Sequence, residues 1–231
     1  MRALVLSIRV PFFSIKLPEA YQVAASYDYL MPSTLFGALC ASLCMIYGWK
    51  EEECKEKLKG TKVRELYLKN PQKEWVVRAS KFPVILRRVK KVLEIGRLPS
   101  SLDEASGFFD ARVREYVFTL DERKAIVLTS RLDEVKEAAW LISRVGDSES
   151  LLSVTNVEEI ELEECEGGEI TVMSKRGSGG VTVRGFDEEG VKSDFLVPAR
   201  AHPLYLYYRP VTYSGKVLCK GDIRIPAGTD W

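Results

Sequence analysis

One histidine, His202, serves the whole chain of 231 residues. Any Ser-His-Asp, Cys-His or multi-histidine metal site would have to depend on it, so several common routes to catalysis lose their parts together. Cysteine is nearly as sparse: Cys40, Cys44, Cys54, Cys165 and Cys219 form an odd set with no CxxC pair. That fits a reducing compartment better than a disulfide framework. Cys40 and Cys44 lie one helical turn apart, but no second pair matches them and their neighbours are apolar, so buried thiols and no metal are expected. Excess charge is missing too. With 34 Lys and Arg against 33 Asp and Glu, the formal net charge is +1, so only local clusters can point to a nucleic-acid partner. Long apolar runs are absent. The most apolar helical stretch, residues 35–47, is too short for a bilayer, which takes about 20 residues. The apolar opening, residues 1–10, contains Arg9, runs into Pro11 and lacks a small-residue cleavage site, so it reads as a strand rather than a signal peptide. No membrane anchor is expected, and the chain reads as cytoplasmic. No fixed-period repeat and no cofactor fingerprint stand out.

What is present is enough for a core: 46% of residues are hydrophobic and 29% charged. Leu4, Leu6, Ile8 and Val10 alternate with residues that are themselves partly apolar, as in a central strand. Pro32-Ser33-Thr34 reads as a helix start, Leu35, Leu39, Leu43 and Ile46 follow at helical spacing, and Gly48 is a natural stop. Gly37, Ala38, Ala41 and Ser42 suggest close packing of that helix on a sheet. A short charged helix follows over residues 51–58, then a strand over 75–79 that enters a basic segment. From Lys73 to Arg97 there are eight basic residues against two acidic ones. Residues 113–119 and 124–129 read as a hairpin joined by Asp121-Glu122. Leu132, Val135, Ala139 and Ile142 give a second amphipathic helix, which Gly146 can end before a strand over residues 151–163. The glutamates that crowd that strand, Glu158, Glu159, Glu161 and Glu163 among them, read as its wet face and not as a metal site.

Strand, helix, two strands, helix, strand is the ferredoxin-like order of an α+β protein. The sequence therefore predicts a ferredoxin-like domain over residues 1–165 with an inserted basic β-arm at 73–107. A β-rich C-terminal extension follows over residues 166–231.

Two segments have chemistry suited to phosphate. Lys175-Arg176-Gly177-Ser178-Gly179-Gly180 offers backbone N–H groups beside two cations, although it is neither a P-loop nor a dinucleotide fingerprint. The plain alternative is a surface loop. The arm sets Arg87, Arg88, Lys90 and Lys91 among apolar residues, so it could lay one side on a neighbour and the other along a nucleic-acid backbone. Solvated charge on a hairpin is its plain alternative. Tyr205, Tyr207, Tyr208 and Tyr213 could stack on bases, or simply pack.

Leu30-Met31-Pro32-Ser33-Thr34-Leu35-Phe36-Gly37-Ala38-Leu39 is similar to the Pro-x-Thr-x-x-Gly-Ala-Leu helix start of the Cas-five family of CRISPR-associated RAMP proteins. Gly146-Asp147-Ser148-Glu149-Ser150 resembles that family's Gly-x-Ser-Glu-Ser turn after the second helix, and Arg114-Glu115-Tyr116-Val117 resembles its second core strand. The resemblance covers residues 1 to about 165, with the archaeal type I-A branch nearest, and the tail beyond Gly167 matches nothing in it. It implies a subunit at one end of a Cascade interference complex. Such a subunit grips the 5′ handle of the CRISPR RNA and contacts the backbone RAMP subunit and the large subunit. Pro32, Ser33 and Thr34 would meet an RNA phosphate at the helix N-terminus, and the basic arm would be the family's thumb-like extension. One branch of the family cleaves precursor CRISPR RNA without metal. A metal-independent endoribonuclease using His202 is therefore the enzymatic alternative, and a protein-binding scaffold is the third reading; the chain is expected not to be an enzyme.

Overall fold

The computed structural model describes residues 1–19, 24–89, 96–106 and 109–228. Leu4, Leu6 and Ile8 are buried on one face of the strand Arg2–Arg9, and Ala3 and Val5 on the other. A strand apolar on both sides needs cover on both sides. It lies inside a four-stranded antiparallel sheet, between Arg123–Leu128 and Ser153–Glu161, with Lys62–Leu66 at the far edge beyond Arg123–Leu128. One face packs on helix α1 (Pro32–Tyr47) and on the helix Leu132–Trp140. On the other face Ala3, Val5, Ile126 and Ile160 meet Val172, Leu218 and Ile225 from the C-terminal strands. The register shifts between Ser7 and Ile8, so Thr155 is passed over in the pairing. Val154 and Val157, three residues apart, therefore both join the helix-side core.

Helix α1 forms where the sequence places it. Pro32 sits in the first turn, where its missing N–H costs nothing, and Leu35, Phe36, Leu39, Cys40 and Leu43 make the buried stripe. Fully burying each leucine contributes roughly 1.5–3 kcal/mol. Gly48 ends the helix in the left-handed conformation (φ 65°), as a C-terminal glycine does. The small-residue expectation is corrected: Gly37 and Ala41 face solvent, and only Ser42 of the four is buried. Among the described residues no single helix is long and apolar enough to cross a membrane.

The predicted hairpin is also corrected. Arg123–Leu128 belongs to the central sheet, but Phe109–Thr119 pairs with Ala79–Val89 and Phe12–Phe13 in a different sheet. The partner of Arg123–Leu128 is Lys62–Leu66, a run with two charged residues inside it that has no clean apolar alternation. Those charges are neutralised internally. Arg64 reaches Glu188, and Glu65 pairs with Arg123, all four side chains at 2% exposure or less. The arm is thus a long hairpin, Ala79–Val89 with Phe109–Thr119, fastened at its base by a two-pronged contact between Arg78 and Asp121. Phe12, Phe118 and Phe82 stack across it, with ring centroids 5.6 and 4.2 Å apart.

The C-terminal region packs partly on the central sheet and partly on itself: Met173, Phe195, Val197 and Leu206 join the cluster of α1, whereas Ile170, Val211, Tyr213 and Val217 form a small cluster of their own. The cysteine expectation is corrected as well. Helix α2 (Glu51–Lys57) folds back on α1, bringing Cys44 and Cys54 to a Cα separation of 5.9 Å, and the two form a disulfide. Cys165 and Cys219 form another between neighbouring strands, 6.1 Å apart at Cα. Neither pair has a spacing that announces it in the sequence.

Candidate nucleic-acid interface

The two sequence segments that resemble a known family meet in space. Met31, extended, precedes α1 without giving its first turn a side-chain hydrogen bond, and the turn contains no acidic residue. The positive end of the helix dipole is therefore not offset by an acidic residue of the helix's own first turn, although Asp147 lines the same recess. Across from it, Gly146 adopts φ 85° and lies so close to the Ser14 carbonyl that a Cβ would come within 2.6 Å of it. The following turn is laced to the same residue. The Ser14 N–H donates to the Ser150 hydroxyl at 3.0 Å, and the Asp147 N–H donates to the Ser14 carbonyl at 3.3 Å. The Ser150 hydroxyl in turn donates to Asp147.

Between these walls lies an open cavity of about 340 Å³, lined by Ser14, Ile15, Lys16, Tyr27, Met31, Ser33, Thr34, Arg114, Gly146, Asp147 and Phe186. Its donors include the Ser33 and Thr34 hydroxyls, the exposed Lys16 ammonium and the Arg114 guanidinium. Arg114 is held by Asp147 and lies 3.6 Å from Glu149, whose other neighbour is the Tyr116 hydroxyl. Burial works against its charge, but hydrogen bonding with Tyr116 and the negative charge of Asp147 outweigh that and hold its pKa above the usual value. Burial, helped by Glu19, pushes the Tyr27 phenol up to about 12, so it stays neutral and donates to the Arg184 carbonyl. Phe186 is 38% exposed and supplies an apolar face. Two cations, hydroxyl donors and the Tyr27 and Phe186 rings, around a recess of mixed polar and apolar lining in which Asp147 is occupied by Arg114, suit a phosphate with an attached base or sugar.

Of the residues singled out in the sequence, Ser33 and Thr34 line this cavity, and Pro32 is buried and not part of its lining. Arg87 and Arg88 lie near the arm's far end, where their backbones pair with Ala111 and Asp110. Lys90 and Lys91 fall outside the described residues. The glycine-rich stretch has a packing explanation. A Cβ on Gly177 would meet the Thr212 carbonyl at 2.7 Å, on Gly179 the Pro210 carbonyl at 2.5 Å, and on Gly180 the Val197 carbonyl at 2.7 Å. Its Gly180 N–H donates to Pro210, and Lys175 is paired with Asp187 at 2.6 Å, while Arg176 is exposed. His202 lies elsewhere, exposed and stacked on Tyr205 at 4.4 Å between ring centroids, and Tyr205 in turn contacts the rings of Trp75 and Tyr207. Tyr208 donates to Glu169, and Tyr213 is buried.

Lys16, Arg114 and Phe186 carry no signal in the sequence that marks them as site residues. Arg114 stands inside the strand resemblance without a role, and Lys16 and Phe186 are single residues in irregular or alternating surroundings. Only the fold brings them to the helix start.

The chain matches the family model described as "CRISPR-associated protein (Cas_Cas5)" over residues 3–217. It is 32% identical to a CRISPR-associated protein Cas5 of Thermoproteus tenax over 100% of both chains. Identity is also 32% to a Cas5 of Methanocaldococcus jannaschii over 175 residues, 71% of this chain and 66% of that one. Both organisms are archaea, in keeping with the archaeal-type likeness. A crystal structure of a CRISPR protein from Archaeoglobus fulgidus shares the fold, with a TM-score of 0.52 over 97% of each chain at 14% identity. The family match and the Thermoproteus likeness run well past Gly167, so the likeness expected to stop near residue 165 takes in most of the C-terminal strands. The chain belongs to the Cas5 family of CRISPR-associated proteins.

Proposed function

We propose that this protein is a non-catalytic RNA-binding subunit of a CRISPR interference complex. In this reading it holds the 5′ handle of the CRISPR RNA, and the cavity at the start of α1 takes one of the handle's phosphates. The observation that carries the reading is the convergence of Ser33, Thr34, Lys16 and Arg114 on one recess at an uncapped helix N-terminus. Membership of the family supports it, and so does the sheet order. Numbering the four core strands by position in the chain, the spatial order is second, third, first, fourth, with both helices on one face. We read this as a ferredoxin-like core from which the long hairpin projects as a thumb. The arm's Arg87, Arg88, Lys90 and Lys91 then follow the RNA backbone, and the backbone and large subunits of Cascade take up flanking surfaces. Arg176 beside the glycine-rich stretch is a further candidate phosphate contact.

The endoribonuclease reading assigns His202 the role of general base, which requires a hydrogen-bonding partner set around the scissile phosphate. His202 is not among the residues that line the cavity, and its ring is stacked on Tyr205. We therefore assign it no catalytic role. Purification of the tagged protein from its native host, followed by sequencing of bound RNA, tests the proposal. Repeat-derived 5′ ends should be enriched; RNA drawn evenly from the transcriptome would reject the reading.

A further inference from the structure

The Cys44–Cys54 disulfide accounts for two sulfurs, but a third points at the same place. Cys40 lies one turn before Cys44 on α1, is 3% exposed and has no disulfide partner. The sulfurs of Cys40, Cys44 and Cys54 all lie within 4.8 Å of one another. Cys165 and Cys219 have no such companion, and among the described residues no other group of three or more His, Cys, Asp or Glu side chains converges this way. The arrangement is built by the fold: Cys40 and Cys44 share a face of α1 by helical periodicity, and α2 turns back to set the fully buried Cys54 against them.

We propose that Cys40, Cys44 and Cys54 form a thiolate site for a zinc-class divalent cation in the reduced protein. Tetrahedral zinc with sulfur ligands at about 2.3 Å requires sulfurs roughly 3.8 Å apart, which lies within the 4.8 Å that bounds the three sulfurs here once the Cys44–Cys54 bond is reduced. Three cysteines leave a fourth position for water. The soft sulfur set selects zinc or cadmium over magnesium or calcium. The disulfide and the metal site are alternative states of the same sulfurs. A dithiol reductant delivers two electrons and two protons to the Cys44–Cys54 bond and becomes a cyclic disulfide itself. A divalent cation then displaces three protons from the three thiols. Either state clamps α2 to the C-terminal half of α1, and the metal adds Cys40 to the clamp.

The test uses the full-length protein, reduced with a dithiol under anaerobic conditions, desalted and titrated with cobalt(II) and then zinc. One cobalt per chain is expected, with a thiolate-to-cobalt charge-transfer band that zinc abolishes by displacement. Zinc should also raise Tm and protect Cys40, Cys44 and Cys54 from alkylation, as read by peptide mass spectrometry. Cys40→Ser should lose stoichiometric binding, whereas the Cys165→Ser/Cys219→Ser double variant should keep it. The proposal is overturned if reduced wild-type protein shows no thiolate-to-cobalt band, or if alkylation is unaffected by zinc at these three residues. An unchanged cobalt titration in Cys40→Ser would equally reject it. The wild-type spectrum and footprint decide the matter even if a variant fails to fold.

Discussion

Glu65 and Arg123 form a buried ion pair 2.6 Å long, both side chains at 1% exposure or less. The second oxygen of Glu65 accepts the Leu30 N–H at 2.9 Å and the Tyr67 hydroxyl at 2.8 Å. Arg123 also donates to the Asp28 carbonyl at 3.1 Å. One carboxylate thus ties the edge of the central sheet to the segment that leads into α1. Glu65→Ala would leave Arg123 buried without its partner, so a loss of roughly 3–5 kcal/mol is expected. Urea unfolding measures it, and a loss below about 1 kcal/mol would contradict the assigned role.

Gly146 and Gly48 both have positive φ but differ in what surrounds them. A Cβ at Gly48 meets nothing within 4 Å, whereas at Gly146 it meets the Ser14 carbonyl at 2.6 Å. Gly48→Ala should cost about 1–2 kcal/mol, the strain of a left-handed residue alone, and leave RNA retention unchanged. Gly146→Ala should cost more than that, because the turn must also move off Ser14, and should weaken RNA retention by widening the cavity. Equal effects of the two substitutions on RNA would show that the turn does not shape the site.

How much of the molecule is legible in the sequence follows from where the signals are local. Helix α1 can be read because Pro32, the leucine spacing and Gly48 all act within a few residues of chain. The edge strand Lys62–Leu66 cannot, since its Arg64 and Glu65 are buried by partners 124 and 58 residues away. Both charges look like solvent-facing residues until Glu188 and Arg123 are seen beside them. The arm is announced by its charge, but its return strand reads as part of the core, because Val113 and Val117 alternate equally well in either sheet. Within the candidate site, Ser33 and Thr34 are legible from a motif, while Lys16, Arg114 and Phe186 depend on tertiary assembly.

The clamp at the base of the arm makes a pH-dependent prediction. The guanidinium of Arg78 holds the Asp121 carboxyl below its ordinary value, partly opposed by burial. A carboxyl depressed in the folded state contributes stability that is present above its unfolded pKa, about 3.9, and is lost as pH falls through the lower folded value. Arg78 is nearly half exposed, so the contribution is about 1 kcal/mol at most. Asp121→Asn should lower stability by that order at pH 7, and the difference from wild type should shrink steadily below about pH 4. A difference that persists unchanged at pH 2 would contradict the ion-pair account.

For the arm, replacing Arg87, Arg88, Lys90 and Lys91 with Ala should weaken RNA retention and flatten its salt dependence. Every phosphate that no longer meets a cation should reduce the log–log slope by about 0.7. Thermal stability should change little. Sequence preference should hold as well, because cations on the phosphates fix position and not base identity. An unchanged salt slope would remove the arm from the binding surface.

The central claim, that the recess at the start of α1 grips the handle, is tested most directly by the combined Lys16→Ala/Ser33→Ala/Thr34→Ala variant purified from its host. Removing charge-assisted hydrogen bonds worth roughly 1.5–3 kcal/mol each predicts at least about a tenfold fall in bound repeat-derived 5′ ends, with the fold intact by circular dichroism. The same quantity of handle RNA on a folded variant would contradict the account.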